Sequence, residues 1–151
     1  MTMKEISSRS RKRRLDKTGT LKIYIAGPYT PLGVNSHDAP RIAHRNVSNA
    51  IRAGIAVIEK GHIPFIPHLT HFIHVETERP LPASYFYEYD MTWLQYCDAV
   101  LYLGNSKGAD RELNWAKKRG LRIFYSVGQI PSATKEGKFK VWTVGKHGKT
   151  N

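Results

Sequence analysis

Glu112 closes a turn, Gly108-Ala109-Asp110-Arg111-Glu112, that separates an apolar run at 99–103 from an amphipathic run through Leu113, Trp115 and Ala116. Gly104, Asn105, Ser106 and Lys107 lead into it. A Gly- and Ser-rich passage from strand to helix leaves backbone N–H groups free at a helix N-terminus, which suits an anion. A carboxylate beside such a cradle points to chemistry on a phosphorylated or sugar-bearing small molecule. The competing reading places Glu112 in the first helical turn as a partner for the helix dipole, worth at most about 1 kcal/mol.

Asp90 is the second carboxylate with a chemical reading. Phe86, Trp93, Leu94 and Cys97 fall at i, i+7, i+8 and i+11 of a predicted helix over 84–97, with Ser84 as its N-cap. Asp90 occupies i+4 of that stripe and faces inward, where an unpaired carboxylate costs several kcal/mol. It is held either by a backbone N–H or an arginine, or it forms a pocket wall and bonds substrate. Asp98, at the following helix-to-strand junction, reads as a turn residue. His68, His71 and His74 are spaced i, i+3, i+6, which puts the outer pair on different helix sides with no carboxylate or Cys to complete a metal set. They read as pocket-edge or surface histidines of a loop, and no metal site is expected. Among Tyr85, Phe86, Tyr87, Tyr89 and Trp93, one aromatic can stack on a base, and spacing does not say which.

These groups need a scaffold. Runs at 21–26, 62–66, 99–103 and 121–125 read as buried strands. Val47, Ala50, Ile51, Gly54, Ile55 and Ile58 form a helical stripe ended by Gly61, and a further helix spans 109–119 with Gly120 after it. Residues 29–41 carry no assignable pattern. Strands alternating with helices predict a parallel sheet covered on both faces, with ligands bound beyond the strand C-termini. Gly27-Pro28 and the 104–108 loop both follow strands, so they belong to one candidate pocket.

Composition limits the alternatives. The chain has 151 residues, a net charge of +12 and one cysteine, Cys97. It reads as a basic tail over 1–19, an α/β domain over 20–130 and a basic segment over 131–151 with a possible edge strand at 139–144. Residues 1–22 carry +6 and residues 132–151 carry +4, leaving +2 for the remainder. Nucleic-acid binding is therefore a property the tails can supply, and solubilising tails are the simpler reading. No apolar run approaches the roughly 18 residues of a membrane span, and no secretory signal is visible. No membrane partner and a cytoplasmic location are expected.

Three motifs in order, Lys22-Ile23-Tyr24-Ile25-Ala26-Gly27-Pro28, Asp90-Met91-Thr92-Trp93-Leu94-Gln95 with Asp98, and Ser106-Lys107-Gly108 leading to Glu112, resemble the nucleoside 2-deoxyribosyltransferase superfamily. That superfamily includes the deoxynucleoside 5′-monophosphate N-glycosidases. The resemblance covers about residues 21–126. It implies a flavodoxin-like three-layer fold with a five-stranded, mainly parallel sheet. It also implies that Glu112 attacks the anomeric carbon, that Tyr24 orients it, and that Asp90 serves at the ribose and base. Gly27 and Gly108 then line the phosphate or sugar pocket, no cofactor is involved, and a homo-oligomer completes the site. Transferases of free nucleosides carry an acidic residue six positions before the nucleophile; here Ser106 stands there, as in the monophosphate N-glycosidases. A hydroxyl tolerates a phosphate that a carboxylate repels. The Gly27-Pro28 turn differs from the glycosidase phosphate loop. The expected function is N-glycosidic cleavage of a nucleoside 5′-monophosphate through a glutamyl intermediate. The alternatives are a deoxyribosyltransferase, a non-catalytic nucleotide-binding module, and a nucleic-acid-binding protein acting through its ends.

Overall fold

A computed structural model describes residues 19–29, 37–79 and 81–133. Four strands form one parallel sheet in the order β2-β1-β3-β4: β1 Lys22–Ala26, β2 Ile63–Phe65, β3 Ala99–Tyr102 and β4 Arg122–Phe124. Four helices accompany them: α1 Ala39–Glu59, α2 Thr70–Glu76, α3 Ala83–Leu94 and α4 Lys107–Lys118. The architecture is the expected α/β layering, but the sheet has four strands among the described residues, where five were expected. After β4 the chain makes a short 3-10 turn over Val127–Gln129, and the 139–144 run and most of both tails lie outside the described residues.

Alternation along β1 divides the core. Ile23 and Ile25 face one way, into a cluster with Ala50 and Val57 of α1 and Leu101 and Phe124 of the sheet. Tyr24 and Ala26 face the other way, among Leu94 of α3 and Ala109 and Ala116 of α4. Period-two geometry in a strand buried on both faces thus aims Tyr24 at the α3–α4 layer.

Helix α1 differs from its predicted stripe. Val47, Ala50, Gly54 and Val57 are buried, whereas Ile55 is 49% exposed. Gly54 sits at close approach: a Cβ there would run into Ile66 Cδ1. The helix also begins in the stretch that carried no pattern, with Pro40 in its first turn, a position that tolerates the missing N–H. Helix α3 starts at Ala83 with Pro82 as its cap residue, so Ser84 is not the N-cap. The histidine segment is helical, not a loop: a 3-10 turn over Pro67–Leu69 runs straight into α2. Asp98 is a junction residue as expected, its Oδ2 accepting the Lys22 N–H at 2.9 Å. No helix among the described residues is long and apolar enough to cross a membrane.

Strand order reverses direction at β1. The chain steps from β1 to β2 on one side and returns to β3 on the other, which opens a crevice above their C-terminal ends.

Candidate functional site

The loop after β3 ends in Ser106, the N-cap of α4. Its backbone is extended, its Oγ accepts the Ala109 N–H at 3.1 Å, and its carbonyl accepts the Asp110 N–H at 2.8 Å. The N–H groups of Lys107 and Gly108 have no intrahelical acceptor in such a first turn. Because the helix starts two residues earlier than expected, Glu112 lies in its second turn, and Asp110 is the first-turn acid. The dipole effect fades within the first turn, so the helix end does not account for Glu112.

Glu112 is buried, at 8% exposure. The Tyr24 hydroxyl donates to its Oε1 at 2.8 Å, across the whole interval from β1 to α4. Burial, then the charges of Glu112 and Asp90, drive the Tyr24 phenol far above its ordinary value, so it remains a donor. Burial pushes the Glu112 carboxyl up to about 8, opposed by the Tyr24 bond and raised further by Asp90. Burial alone pushes Asp90 up to about 7, and its Oδ1 is enclosed without a hydrogen-bond partner. The structural alternative for Asp90, a backbone N–H or an arginine on that oxygen, is therefore not what holds it.

A cavity of about 480 Å³ opens between these groups. Its wall includes Gly27, Asp90, Ser106, Gly108 and Glu112, which the sequence reading had placed in one site. Tyr24 stands behind Glu112 and acts on it by hydrogen bond. Gly108 faces the open space, since a Cβ there would meet nothing within 4 Å. Neither backbone angle nor packing demands glycine at this position, which leaves close approach of an occupant as the physical reason for one.

Pro28 lies on a neighbouring cavity of about 280 Å³ with Asn46 and Asn49, and is not part of the larger wall. Its carbonyl lies 3.0 Å from His68 Nε2. A carbonyl only accepts, so Nε2 carries the proton and donates. Burial lowers the His68 pKa and keeps the ring neutral. His68 and His74 both line the larger cavity, as pocket-edge histidines should, and His71 Nδ1 lies 2.9 Å from the Tyr29 hydroxyl. Among the described residues no group of three or more His, Cys, Asp or Glu is placed to hold a metal ion.

Phe86 and Tyr87, two of the aromatics considered for stacking on a base, line the wall, and Tyr29, Lys107 and Arg111 join them with no role expected from the sequence. Tyr87 carried a readable signal, since it stands three positions before Asp90 and shares its helix face. Arg111 gave none beyond adjacency to Glu112.

A buried carboxyl braced by a phenol, a second carboxyl and a capped helix N-terminus share one wall, a set of groups able to exchange a proton and to face an anion. No curated protein matches the chain. Residues 21–126 match a family described as a domain of unknown function (DUF7768), and the chain belongs to that family.

Proposed function

We propose that the protein cleaves the N-glycosidic bond of a 2′-deoxynucleoside 5′-monophosphate and releases the free base. The observation that carries this reading is the Tyr24–Glu112 hydrogen bond of 2.8 Å, which holds a buried carboxyl at the cavity wall beside Asp90. The strand order, equal to the first four positions of a flavodoxin-like sheet, supports the resemblance on which the reading rests.

In the first step a Glu112 oxygen bonds to the anomeric carbon as the bond from that carbon to the base nitrogen breaks. The electron pair goes to the base, which takes a proton from Asp90. Burial raises both carboxyls, so the pair holds a single proton between about pH 7 and pH 8, and the reactive form is the one with that proton on Asp90 and Glu112 ionised. A water then attacks the anomeric carbon of the glycosyl ester and gives its proton to the Asp90 carboxylate, which frees the sugar 5-phosphate and restores both Glu112 and Asp90. The Ser106 hydroxyl has its lone pair on Ala109 N–H and its hydrogen free, so it donates to a phosphate oxygen.

Incubation with the four 2′-deoxynucleoside 5′-monophosphates and their nucleosides, with free base followed by chromatography, tests this directly. Base is expected from at least one monophosphate without any second base added. No base from any of them removes the reading, and base exchange outpacing release replaces it with a transferase.

The protein is further expected to self-associate through α3. Tyr85 and Trp93 of α3, and Tyr96 just beyond its end, are each between 46% and 51% exposed, and aromatics of this kind concentrate at interfaces. Light scattering at micromolar concentration should return at least twice the chain mass; a monomer with full activity overturns the expectation.

A further inference from the structure

The reaction proposed above leaves two cations on the cavity wall unused. Lys107 is the first residue of α4, and Arg111 follows one turn later on the same side of the helix. The ion pairs among the described residues both fall on Asp38, and neither involves Lys107 or Arg111. Arg111 does have a contact of another kind. Its guanidinium carbon lies 4.2 Å from the centroid of the Tyr87 ring of α3, which also lines the cavity. A guanidinium lying on an aromatic face keeps its edge donors free, and those donors match the oxygens of a phosphate. The cavity is therefore bipolar, with Asp90 and Glu112 within it and, beside the Ser106 cap, two cations that form no ion pair among the described residues, of which Arg111 also lowers the Glu112 carboxyl through its charge.

We infer that Arg111, held in place by Tyr87 and assisted by Lys107, is the residue that makes the site select a phosphate monoester over a neutral nucleoside. Ser106 and the first-turn N–H groups orient the phosphate, and Arg111 supplies the charge that discriminates. Tyr87 is a positioning residue: it acts on the ligand through the guanidinium it supports. This assignment rests on the function proposed above and deepens it.

The test compares wild type, Arg111→Gln, Arg111→Lys, Tyr87→Leu and Tyr87→Phe on the four 2′-deoxynucleoside 5′-monophosphates and the matching nucleosides. Inorganic phosphate and 2-deoxyribose 5-phosphate serve as competitors. Arg111 is exposed, so its variants leave the core intact. Arg111→Gln should raise KM for the monophosphates about tenfold or more, the loss of one charge-assisted contact, while nucleoside KM stays within about twofold. Arg111→Lys should fall between, because it keeps the charge without the fork. Tyr87→Leu should raise the monophosphate KM in the same direction, and Tyr87→Phe should restore it, since only the ring is required. Weakened competition by both phosphate and deoxyribose 5-phosphate assigns Arg111 to the phosphate; weakening of the sugar phosphate alone overturns that assignment. Equal losses on nucleosides and monophosphates, or no loss at all, also overturn it. If wild type cleaves a monophosphate and Arg111→Gln is unchanged, only Arg111 is misassigned. If wild type neither binds nor cleaves any, the proposed function falls and this inference with it.

Discussion

Glu112→Gln should abolish base release while making the protein more stable at alkaline pH. The amide is isosteric, and its oxygen still accepts the Tyr24 hydroxyl that bonds the carboxylate at 2.8 Å. It lacks the charge that a nucleophile needs, so loss of activity should be at least a thousandfold on the order of other covalent carboxylate nucleophiles. The stability effect follows from burial. Folding raises the Glu112 carboxyl from its ordinary 4.5 to about 8, and Asp90 from 3.8 to about 7. Between those limits the folded chain holds protons that the unfolded chain has released. The stability these groups contribute is therefore fully present below pH 4 and declines as pH rises through 7 to 8. Replacing Glu112 removes its share of the decline, on the order of a few kcal/mol. Thermal unfolding of the two proteins should converge near pH 4 and separate by several degrees at pH 9, the variant higher. A variant less stable than wild type at pH 9 would contradict the burial account.

The same pair dictates the shape of the activity profile. Attack needs Glu112 ionised, and departure of the base needs a proton on Asp90, so the active form holds one proton shared between two carboxyls. Base release should rise through about pH 7 and fall above about pH 8, with both limbs belonging to the pair. Stability and activity thus pull apart at one residue.

How far the sequence anticipates this site depends on the kind of signal each residue carries. Tyr24 and Glu112 are 88 positions apart, and nothing in spacing alone joins them. The resemblance paired them, and strand alternation explains the pairing physically: Tyr24 lies on the α3–α4 face because Ile23 and Ile25 lie on the other. Asp90 was legible from periodicity, since a carboxylate on an apolar stripe must face something. The stripe itself was less exact. Trp93 is half exposed and stacks on Phe65 with ring centroids 5.6 Å apart, so α3 lies over the end of β2 at the edge of the sheet and covers little core. Helix α1 keeps Val47, Ala50 and Gly54 of its stripe on the buried face and differs at its C-terminal end, where Val57 is buried in place of Ile58 and Ile55 is exposed. Pro28 lines the neighbouring cavity, which shares His68 with the larger one. The Pro28 carbonyl meets His68, 40 positions away, a contact that no local pattern at the Gly-Pro turn encodes. Arg111 was overlooked because an arginine on a helix surface is ordinary until Tyr87 is seen beneath it.

Ser106→Asp should reverse the substrate preference of the site with the fold unchanged. Position 106 is the N-cap of α4, and its side chain accepts the Ala109 N–H at 3.1 Å. Aspartate caps helices as well as serine does, and its charge suits the positive end of the helix dipole. The substitution therefore keeps the local hydrogen bond and changes one thing that matters to a ligand, the sign of the charge facing it. A serine donates to a phosphate oxygen; an aspartate cannot donate and repels a dianion. Losing that donation and gaining repulsion should cost about 3 kcal/mol or more, a hundredfold or greater fall in kcat/KM for monophosphates. Activity on free nucleosides should survive or rise, because the acidic residue six positions before the nucleophile, typical of the transferases, is then restored. Thermal unfolding of the variant, expected within a degree or two of wild type, separates this effect from damage to the helix. Equal losses on nucleotides and nucleosides would mean that the cap shapes the wall without reading the phosphate. Undiminished monophosphate cleavage would place the phosphate elsewhere in the cavity and leave Ser106 with its structural role alone.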